Sequence, residues 1–208
     1  MVYALVLEAS VERHGGSSPL LGTISMENVM SHSEQIEYIK KIRNRFPSFF
    51  KNRTVLEVGS LNINGTVRDF FENCNYTGID VGPGPGVDIV CGGQEYNAPK
   101  ECFDVVISCE CFEHNPYWVE TFLNMVRMCK SGGLVIVTCA STGRPEHGTN
   151  KSNPSDSPLT VSVGWGDYYK NLTEVDFKNA FDIEEMFSIH KFEFHDHPGD
   201  LHFCGLKK

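Results

Sequence analysis

The segment TVLEVGSLNINGTVRDFF, residues 54–71, decides the fold, because it carries an apolar run, an acid and a glycine turn in close succession. The run TVLEVG has the length and apolarity of a buried strand, and the apolar pattern resumes only after SLNING. A purely structural connection would be shorter and would not need the carboxylate of Glu57. We predict a strand ending at Gly59, a ligand-binding loop, and a helix near Thr66 to Asn73.

Apolar runs of strand length alternate with helical patterns on both sides of this segment. Before it, EQIEYIKKIRNRF repeats isoleucine at helical spacing and ends at Pro47. After it come YTGIDV, VDIV, FDVVISC, a helix near Trp118 to Cys129, and GLVIVTC. Such runs suit parallel strands covered on both faces. The tail reads as a helix, FDIEEMF, and a hairpin, HKFEFHDH and LHFCGLKK around HPGD. We predict an α/β fold with a doubly wound, mostly parallel sheet and an antiparallel C-terminal hairpin.

The length and the net charge of the chain exclude several classes of function. The 208 residues, 40% of them hydrophobic, suit a single domain. The net charge of −9 supplies no broad basic surface, so we expect neither a nucleic-acid nor a membrane partner. The start, MVYALVLEASVERH, has a short apolar run without a preceding positive segment, which predicts no secretory signal or membrane span. The eight cysteines lack C-x-x-C spacing and are expected to be reduced, small apolar residues of a cytoplasmic enzyme.

A long polar segment follows the strand GLVIVTC. Residues 140–169 are rich in Gly, Pro, Ser and Asn. Loops after the carboxyl ends of strands in open α/β sheets form the ligand crevice, and a loop of this length is usually functional. We predict that residues 140–175 are a substrate-side lid, between a core at 54–139 and a helix with hairpin at 176–208. Residues 1–50 form an N-terminal segment and helix of the same domain.

Two acids suggest the ligand. Backbone N–H groups at the Gly59 turn, together with a helix starting near Gly65, suit a ligand carboxylate or phosphate. Glu57 would repel such a group unless the ligand also carries a positive charge, as an amino acid does. Asp80 ends YTGIDV about twenty residues after the turn, where an acid accepts hydrogen bonds from ribose hydroxyls. A ribose and an ammonium-bearing tail together indicate S-adenosylmethionine (SAM).

The segments VLEVGS, YTGIDV, FDVVISCECFEH and MVRMCKSGGLVIVT resemble those of the class I SAM-dependent methyltransferases, particularly the small-molecule group, over Thr54 to Thr138. The resemblance implies a Rossmann-like sheet of seven strands, the seventh antiparallel, and a structural turn at KSGG. It also implies that Glu57 and Gly59 lie beside the methionine portion, while Asp80 holds the ribose. The full set of cofactor-binding residues that we predict is Glu57, Gly59, Ser60, Asn62, Asp80, Val81, Gly93, Gln94, Ser108 and Cys109, of which Ser108 and Cys109 border the methionine amino group.

The sequence departs from the family pattern at two places. SLNING has fewer glycines than the family's first loop, and the pattern G-x-G-x-x-G is absent. After the third strand, VDIVCGGQEY lacks the aspartate that accepts from the adenine amino group. Gln94 or a backbone carbonyl is the expected substitute. Asp88, inside VDIV, is interpreted as structural.

Methyl transfer from a sulfonium is an in-line displacement that needs positioning, and a base when the acceptor is a hydroxyl. The candidate bases are His147 in the lid and His114 and Glu113 after the fourth strand. The sequence leaves structural roles open for each of them: a loop hydrogen bond and helix cap for His114, a fold contact for Glu113, and a solvated loop position for His147. A divalent metal on His147, Glu146 and His114 is an alternative whose spacing the sequence does not fix, so we predict no metal.

Other aromatic and histidine residues receive no chemical role. Trp165, Tyr168 and Tyr169 are interpreted either as a wall against the acceptor or as packing that anchors the lid. The hairpin histidines alternate with apolar residues and are predicted to be exposed; they are His190, His195, His197 and His202.

We therefore predict a SAM-dependent methyltransferase that acts on a small molecule, with O-methylation favoured. The segments HSEQIEYI and GRPEHGT with DYYKNL also resemble those of bacterial methyltransferases encoded beside surface-polysaccharide enzymes, which implies a sugar or nucleotide-sugar acceptor. Two alternatives remain from the residues alone. One is a non-catalytic SAM-binding or regulatory domain of the same fold, and the other is a NAD-dependent oxidoreductase.

Overall fold

One seven-stranded sheet organises residues 26–208, the part of the chain that the computed structural model describes. The strands are β1 (Thr54–Val58), β2 (Asn75–Asp80), β3 (Ile89–Val90), β4 (Phe103–Cys109), β5 (Cys129–Ala140), β6 (Phe187–His195) and β7 (Asp200–Lys207). Their order is β3-β2-β1-β4-β5-β7-β6. The first five strands pair in parallel, and β7 runs antiparallel between β5 and β6. The predicted doubly wound, Rossmann-like sheet with an antiparallel C-terminal hairpin is confirmed.

Five α-helices accompany the sheet within residues 26–208. They are α1 (Met26–Arg45), α2 (Trp118–Met128), α3 (Pro158–Ser162), α4 (Glu174–Ala180) and α5 (Ile183–Met186). The predicted amphipathic first helix is present, and it buries Ile39 and Ile42. Helix α4 was not predicted; it begins with a reciprocal capping box between Thr173 and Asp176. No helix in this part of the chain is both long and apolar enough to cross a membrane. The prediction about a signal or span at the N-terminus falls on residues 1–25, outside the described residues.

The core lies on both faces of the sheet, as the apolar runs require. On one face, Val55 of β1 belongs to the cluster that packs against α1. On the other face, Leu56 belongs to the cluster around Phe122 of α2 and Phe177 of α4. The rings of Phe122 and Phe177 meet edge to face with centroids 5.3 Å apart. Full burial of each such side chain stabilises the fold by about 1.5–3 kcal/mol, so the sheet is a rigid base for the loops at its carboxyl edge.

The helix predicted near Thr66 to Asn73 is wrong. Only a short 3-10 turn, Arg68–Phe70, forms there. The chain leaves helical geometry because Glu72 exchanges backbone hydrogen bonds with Phe50 and Asn52, at 2.8 and 3.0 Å. Phe71 also stacks on Phe50, with ring centroids 4.6 Å apart. Because this helix is absent, the prediction that its N-terminus near Gly65 binds an anion is also wrong.

Two shorter predictions need correction at the strand level. KSGG, predicted as a turn before the fifth strand, lies inside β5, where the pairing with β4 shifts register after Cys129. Only Ile89–Val90 of VDIV forms a strand. Asp88 instead accepts a hydrogen bond from the Gly78 backbone N–H at 2.7 Å and pairs with Arg68. Its interpretation as structural is confirmed.

The prediction that the hairpin histidines are exposed is wrong for His202, which is fully buried. The first six residues of β7 are all buried, and consecutive strand residues point to opposite faces, so both faces of this strand are covered. The His202 ring packs against Tyr38 of α1 and against His195 of β6, with centroids 4.4 Å apart in each case. Alternation within the hairpin could not reveal that α1 crosses this face.

Candidate active site

A cleft opens at the carboxyl ends of β1, β2 and β4. The larger cavity encloses about 1060 Å³ of empty space, part of it open to solvent, and an adjoining cavity encloses about 310 Å³. Gly59, Asp80, Cys111 and Thr160 line both. The polar and charged residues that line the larger cavity include Gln35, Glu57, Ser60, Glu110, His114, Arg144, His147 and Asp156. Residues between 144 and 160, within the segment 140–175 that is predicted to be a lid, therefore form one wall of the cleft.

Glu57 reaches this cavity from β1 while remaining 95% inaccessible to solvent. Its Oε2 accepts a hydrogen bond from the Tyr76 hydroxyl at 2.9 Å. Burial raises the pKa of Glu57 to about 7, although the Tyr76 hydrogen bond opposes the shift. A cationic ligand group beside Glu57 would favour the carboxylate form.

Gly59 and Ser60 form the turn that follows β1. Gly59 has φ of +79°, and a Cβ added there would lie 2.6 Å from the Cβ of Cys111. Only glycine therefore fits both the backbone angle and the space. The Ser60 hydroxyl is buried and has no hydrogen-bond partner among residues 26–208. A polar ligand group in the cavity would satisfy it.

Asp80 occupies the junction of the two cavities. Its two carboxylate oxygens accept backbone N–H groups from Leu61, at 3.0 Å, and from Val81, at 2.8 Å. These bonds fix the plane of the carboxylate. Burial raises the pKa of Asp80, and the two N–H bonds oppose that rise because they stabilise the charged form.

The smaller cavity lies beyond Asp80 and is lined by Val81, Cys91, Gly93, Asn115 and Trp165 among others. A Cβ at Gly93 would lie 2.6 Å from Val58 Cγ1. The glycine thus lets this loop pack directly on β1.

Three of the ten predicted cofactor-binding residues, Asn62, Gln94 and Ser108, line neither cavity. Asn62 Oδ1 accepts the Gly65 backbone N–H at 2.8 Å and so shapes the loop. The fully buried Ser108 donates its hydroxyl to the Val58 carbonyl at 2.8 Å and so links β4 to β1. The other seven line one cavity or both: Glu57, Gly59, Ser60, Asp80, Val81, Gly93 and Cys109.

His147, a candidate base, lines the larger cavity from the lid. Its Nδ1 lies 3.1 Å from the Pro145 carbonyl, which only accepts, so Nδ1 carries the proton and Nε2 keeps its lone pair. The Tyr169 hydroxyl lies 3.2 Å from the same nitrogen and the same carbonyl. Burial lowers the pKa of His147, which keeps the imidazole neutral near pH 7.

His114 and Glu113 lie next to His147. The two imidazole rings meet edge to face with centroids 4.9 Å apart. Burial lowers the pKa of His114 to about 3 and raises the pKa of Glu113 to about 7. Glu113 is fully buried, its Oε1 accepts the Ala140 backbone N–H at 3.2 Å, and it does not line the cavity. One ligand atom from each of Glu113, His114 and His147 lies within 4.8 Å of the others.

Several wall residues were missed by sequence reasoning. Gln35 comes from α1, and Glu110, at φ of +49°, follows β4 directly. Arg144 is buried and donates to Asp200 of β7 at 2.8 Å. Two sequence features could have indicated these wall residues: Glu110 lies in CEC, directly after the fourth strand, and Arg144 lies in the polar segment GRPEHG. Glu146, considered as a metal ligand, instead accepts the Thr149 hydroxyl at 2.7 Å and lines neither cavity.

Some of the cysteines and aromatic residues line the cleft, whereas others lie outside it. Cys109 and Cys111 line the cleft, and all eight cysteines are free. Trp165 lines the smaller cavity and contacts Tyr117, with ring centroids 5.6 Å apart. Tyr168 lines neither cavity.

Residues 56–137 match the family of methyltransferase domains. Among solved structures, phosphoethanolamine N-methyltransferase 2 of Haemonchus contortus, in complex with SAM, aligns with a TM-score of 0.59 and 15% identity over 82% of this chain and 52% of that one. The 1,6-didemethyltoxoflavin-N1-methyltransferase of Burkholderia thailandensis aligns with a TM-score of 0.54 and 12% identity over 92% and 94%. A SAM-dependent methyltransferase of Archaeoglobus fulgidus aligns with a TM-score of 0.54 and 15% identity over 82% and 94%.

These likenesses have defined limits. The chain spans about half the length of the Haemonchus protein. At identities of 12 to 15%, the likeness to solved structures establishes the fold alone. No curated protein matches the chain.

Proposed function

We propose that this chain, whose residues 56–137 match the family of methyltransferase domains, is a class I SAM-dependent methyltransferase that methylates a hydroxyl group of a small molecule, a sugar or nucleotide-sugar. The match of residues 56–137 to methyltransferase domains, together with similar structures solved with SAM or S-adenosylhomocysteine, supports the predictions of a methyltransferase and of SAM as its methyl donor. The methylated atom and the class of acceptor belong to the proposal, because two of the similar structures are named as N-methyltransferases.

The charged and polar groups that line the cleft suit SAM. SAM carries a sulfonium, an ammonium and a carboxylate, and the cavity offers the acids Glu57, Asp80 and Glu110 to its positive groups. The unpartnered hydroxyl of Ser60 suits its carboxylate. Asp80 would hold the ribose hydroxyls with the remaining lone pairs of its fixed carboxylate, and Glu57 would hold the ammonium. The smaller cavity beside Val81 and Gly93 would then receive the adenine.

The reaction needs a nucleophilic oxygen in line with the methyl group. A lone pair of the acceptor oxygen forms the new bond to the methyl carbon, and the pair of the broken carbon–sulfur bond returns to sulfur. The hydroxyl proton must leave with this step. His147 lines the same cavity as Glu57 and keeps an unprotonated Nε2, and this single observation carries the proposal of O-methylation.

The wall around His147 suits a polyhydroxylated acceptor. Arg144, Ser157 and Thr160 line this part of the cavity together with His147. Hydroxyl and imidazole groups exchange hydrogen bonds with sugar hydroxyls in both directions. The faint resemblance of HSEQIEYI, GRPEHGT and DYYKNL to methyltransferases of surface-polysaccharide clusters points to the same class of acceptor.

Transfer of tritiated methyl groups from SAM tests the proposal. The acceptor panel should contain hexoses, nucleoside-diphosphate hexoses and the matching amino sugars, with the labelled product examined by mass spectrometry and NMR. We expect an O-methyl sugar. Label on nitrogen or carbon would contradict the proposed O-methylation. Tight binding of S-adenosylhomocysteine without transfer to any member of the panel would favour the alternative, a SAM-binding regulatory domain.

A further inference from the structure

We propose that Glu113, His114 and His147 bind one divalent transition-metal ion on the acceptor side of the cleft. The inference rests on the proposed function for its location, and it changes how the acceptor hydroxyl is activated. The starting observation is geometric: one carboxylate oxygen and one ring nitrogen from each histidine lie within 4.8 Å of one another. Atoms at this mutual spacing surround a point that a single ion can occupy after small side-chain movements.

The hydrogen bonding of His147 is that of a metal ligand. A coordinating histidine commonly donates its other ring N–H to a backbone carbonyl, which fixes the tautomer and the ring orientation. His147 Nδ1 makes this contact with Pro145 at 3.1 Å, and the Tyr169 hydroxyl supports it at 3.2 Å. Nε2 is therefore oriented as a free lone pair.

Glu113 and His114 each bury a polar atom that nothing satisfies. Glu113 Oε2 and His114 Nδ1 have no hydrogen-bond partner among residues 26–208, and the two side chains are 0% and 4% exposed. An unsatisfied polar atom at such depth is costly and rare. A bound cation supplies a partner to each residue, whereas water has little access to either atom.

The charges around the three residues also favour a cation. Within residues 26–208, Glu110, Glu113 and Asp200 interact electrostatically with one another and with the guanidinium group of Arg144. Arg144 donates directly to Asp200, and both carboxylate oxygens of Glu110 are buried without a hydrogen-bond partner in the described chain. Three acidic side chains and one guanidinium group interact here, and a divalent ion would stabilise the carboxylate forms of the acids.

Two imidazoles and one carboxylate define the class of ion. Imidazole suits iron, cobalt, nickel and zinc, whereas magnesium and calcium prefer all-oxygen sites. Three protein ligands leave coordination positions open for an acceptor oxygen. With the ion bound, His147 no longer accepts a proton; instead the ion lowers the pKa of the coordinated hydroxyl, whose proton passes to solvent before the oxygen attacks the methyl carbon.

Titration of the full chain with Co²⁺ tests the site through visible absorption and calorimetry. We expect one ion per chain, and we expect Glu113→Gln and His147→Gln each to weaken binding at least about tenfold. His190→Gln, in strand β6 outside the cluster, is the matched control and should bind as the unmodified protein does. Circular dichroism and S-adenosylhomocysteine binding show whether each variant is folded. Absence of stoichiometric binding would overturn the inference. So would folded Glu113→Gln and His147→Gln variants that bind Co²⁺ as tightly as the unmodified protein does.

Two further readouts separate the site from its rivals. Intense near-ultraviolet thiolate-to-cobalt absorption would place the ion on Cys109 or Cys111 and would also overturn the inference. Methyl transfer is then measured with and without a chelator. Full transfer after chelation refutes the metal site and leaves the proposed function standing. Stoichiometric cobalt binding without transfer to any acceptor refutes the proposed function and leaves the metal site standing.

Discussion

At the scale of single residues, Glu57 and Asp80 show how two acids on neighbouring strands acquire different properties. Asp80 accepts two backbone N–H groups, which favour its charged form. Glu57 instead accepts the Tyr76 hydroxyl, and burial raises its pKa to about 7. Burial raises the pKa of both carboxyl groups, but only Asp80 has two backbone N–H bonds that oppose the rise, whereas Glu57 gains its charge near neutral pH.

The first prediction concerns Asp80. Asp80→Asn keeps the shape of the side chain but replaces one acceptor oxygen by an NH2 group, which cannot accept from a ribose hydroxyl or from a backbone N–H. We expect SAM and S-adenosylhomocysteine to bind about tenfold or more weakly, since a hydrogen bond to a charged group contributes about 1.5–3 kcal/mol. Calorimetry measures the affinity, and Asp69→Asn, at an exposed position, is the control. Equal affinities in the two variants would remove Asp80 from the ribose site.

The second prediction is a pH dependence of SAM binding. Below its pKa of about 7, Glu57 is largely protonated in the free protein, and a neutral carboxyl group does not attract the ammonium. Affinity should therefore fall as the pH is lowered, by about tenfold between pH 8 and pH 6. Glu57→Gln should flatten this profile, while Glu120→Gln, on the exposed side of α2, should keep it. A slope that persists in Glu57→Gln would assign the titration to another group.

The third prediction concerns His147. His147→Gln removes the unprotonated Nε2 of a residue that lines the cavity, so we expect turnover to fall about 10²–10⁴-fold. SAM affinity should change little, because His147 lies on the lid rather than at the carboxyl end of β1 or β2. Initial rates at saturating SAM, together with the dissociation constant, measure the two effects separately. Unchanged turnover would show that His147 takes no part in activating the acceptor.

At the scale of elements, the turn after β1 depends on glycine for two separate reasons. Gly59 has a positive φ, which an L side chain rarely adopts, and its missing Cβ leaves room for Cys111 of the segment after β4. The two strand ends can therefore approach each other closely, and the larger and smaller cavities meet there.

The fourth prediction separates these two reasons with a matched pair. Gly132, in the irregular part of β5, has φ of +72° but no atom within 4 Å of an added Cβ. Gly132→Ala should cost only backbone strain, about 1–2 kcal/mol. Gly59→Ala adds a clash with Cys111, so we expect a larger loss of stability and weaker SAM binding. Urea unfolding and calorimetry compare the variants. Equal losses of stability with intact SAM binding would show that Cys111 moves aside freely.

At the scale of the whole molecule, the lid is fastened to the sheet at several points. Arg144 donates to Asp200 at 2.8 Å, and the Leu172 backbone N–H donates to the Ala140 carbonyl at 2.9 Å. The Lys170 backbone N–H donates to the Glu113 carbonyl at 2.9 Å. These contacts join β5, β7 and the segment after β4, so the position of His147 depends on the C-terminal hairpin.

The fifth prediction follows from the burial of the ion pair between Arg144 and Asp200. Asp200→Asn leaves the Arg144 guanidinium buried with less compensation, and breaking a buried pair costs about 3–5 kcal/mol. We expect the lower end of that range, because Glu110 and Glu113 still face Arg144. Urea unfolding measures the loss. Glu174→Gln, which breaks an exposed pair with Lys178, should change stability little. If both variants lost a similar free energy of unfolding, the pair of Arg144 and Asp200 would have no special structural role.

The sequence by itself predicted most of the sheet, and seven of the ten residues predicted to bind the cofactor line the cleft. A continuous apolar run predicts a strand that is buried on both faces. An acid or glycine at the end of such a run lies at the carboxyl edge of the sheet, whichever strands are its neighbours. Glu57, Gly59 and Asp80 were therefore readable from local pattern. The helix predicted near Thr66 to Asn73 was not, because Phe50 and Asn52, distant in sequence, draw Glu72 into an extended pairing.

Only the tertiary structure decided which groups surround the acceptor side. Glu113, Arg144 and Asp200 come from three separate segments, and Arg144 and Asp200 meet across 56 positions of chain. Their burial, which shifts the pKa of Glu113 and leaves polar atoms of Glu113 and His114 without partners, arises from packing of the lid and β7 against β5. Periodicity records the environment of a residue along its own element, whereas charge and solvation at a site depend on neighbours that other elements supply.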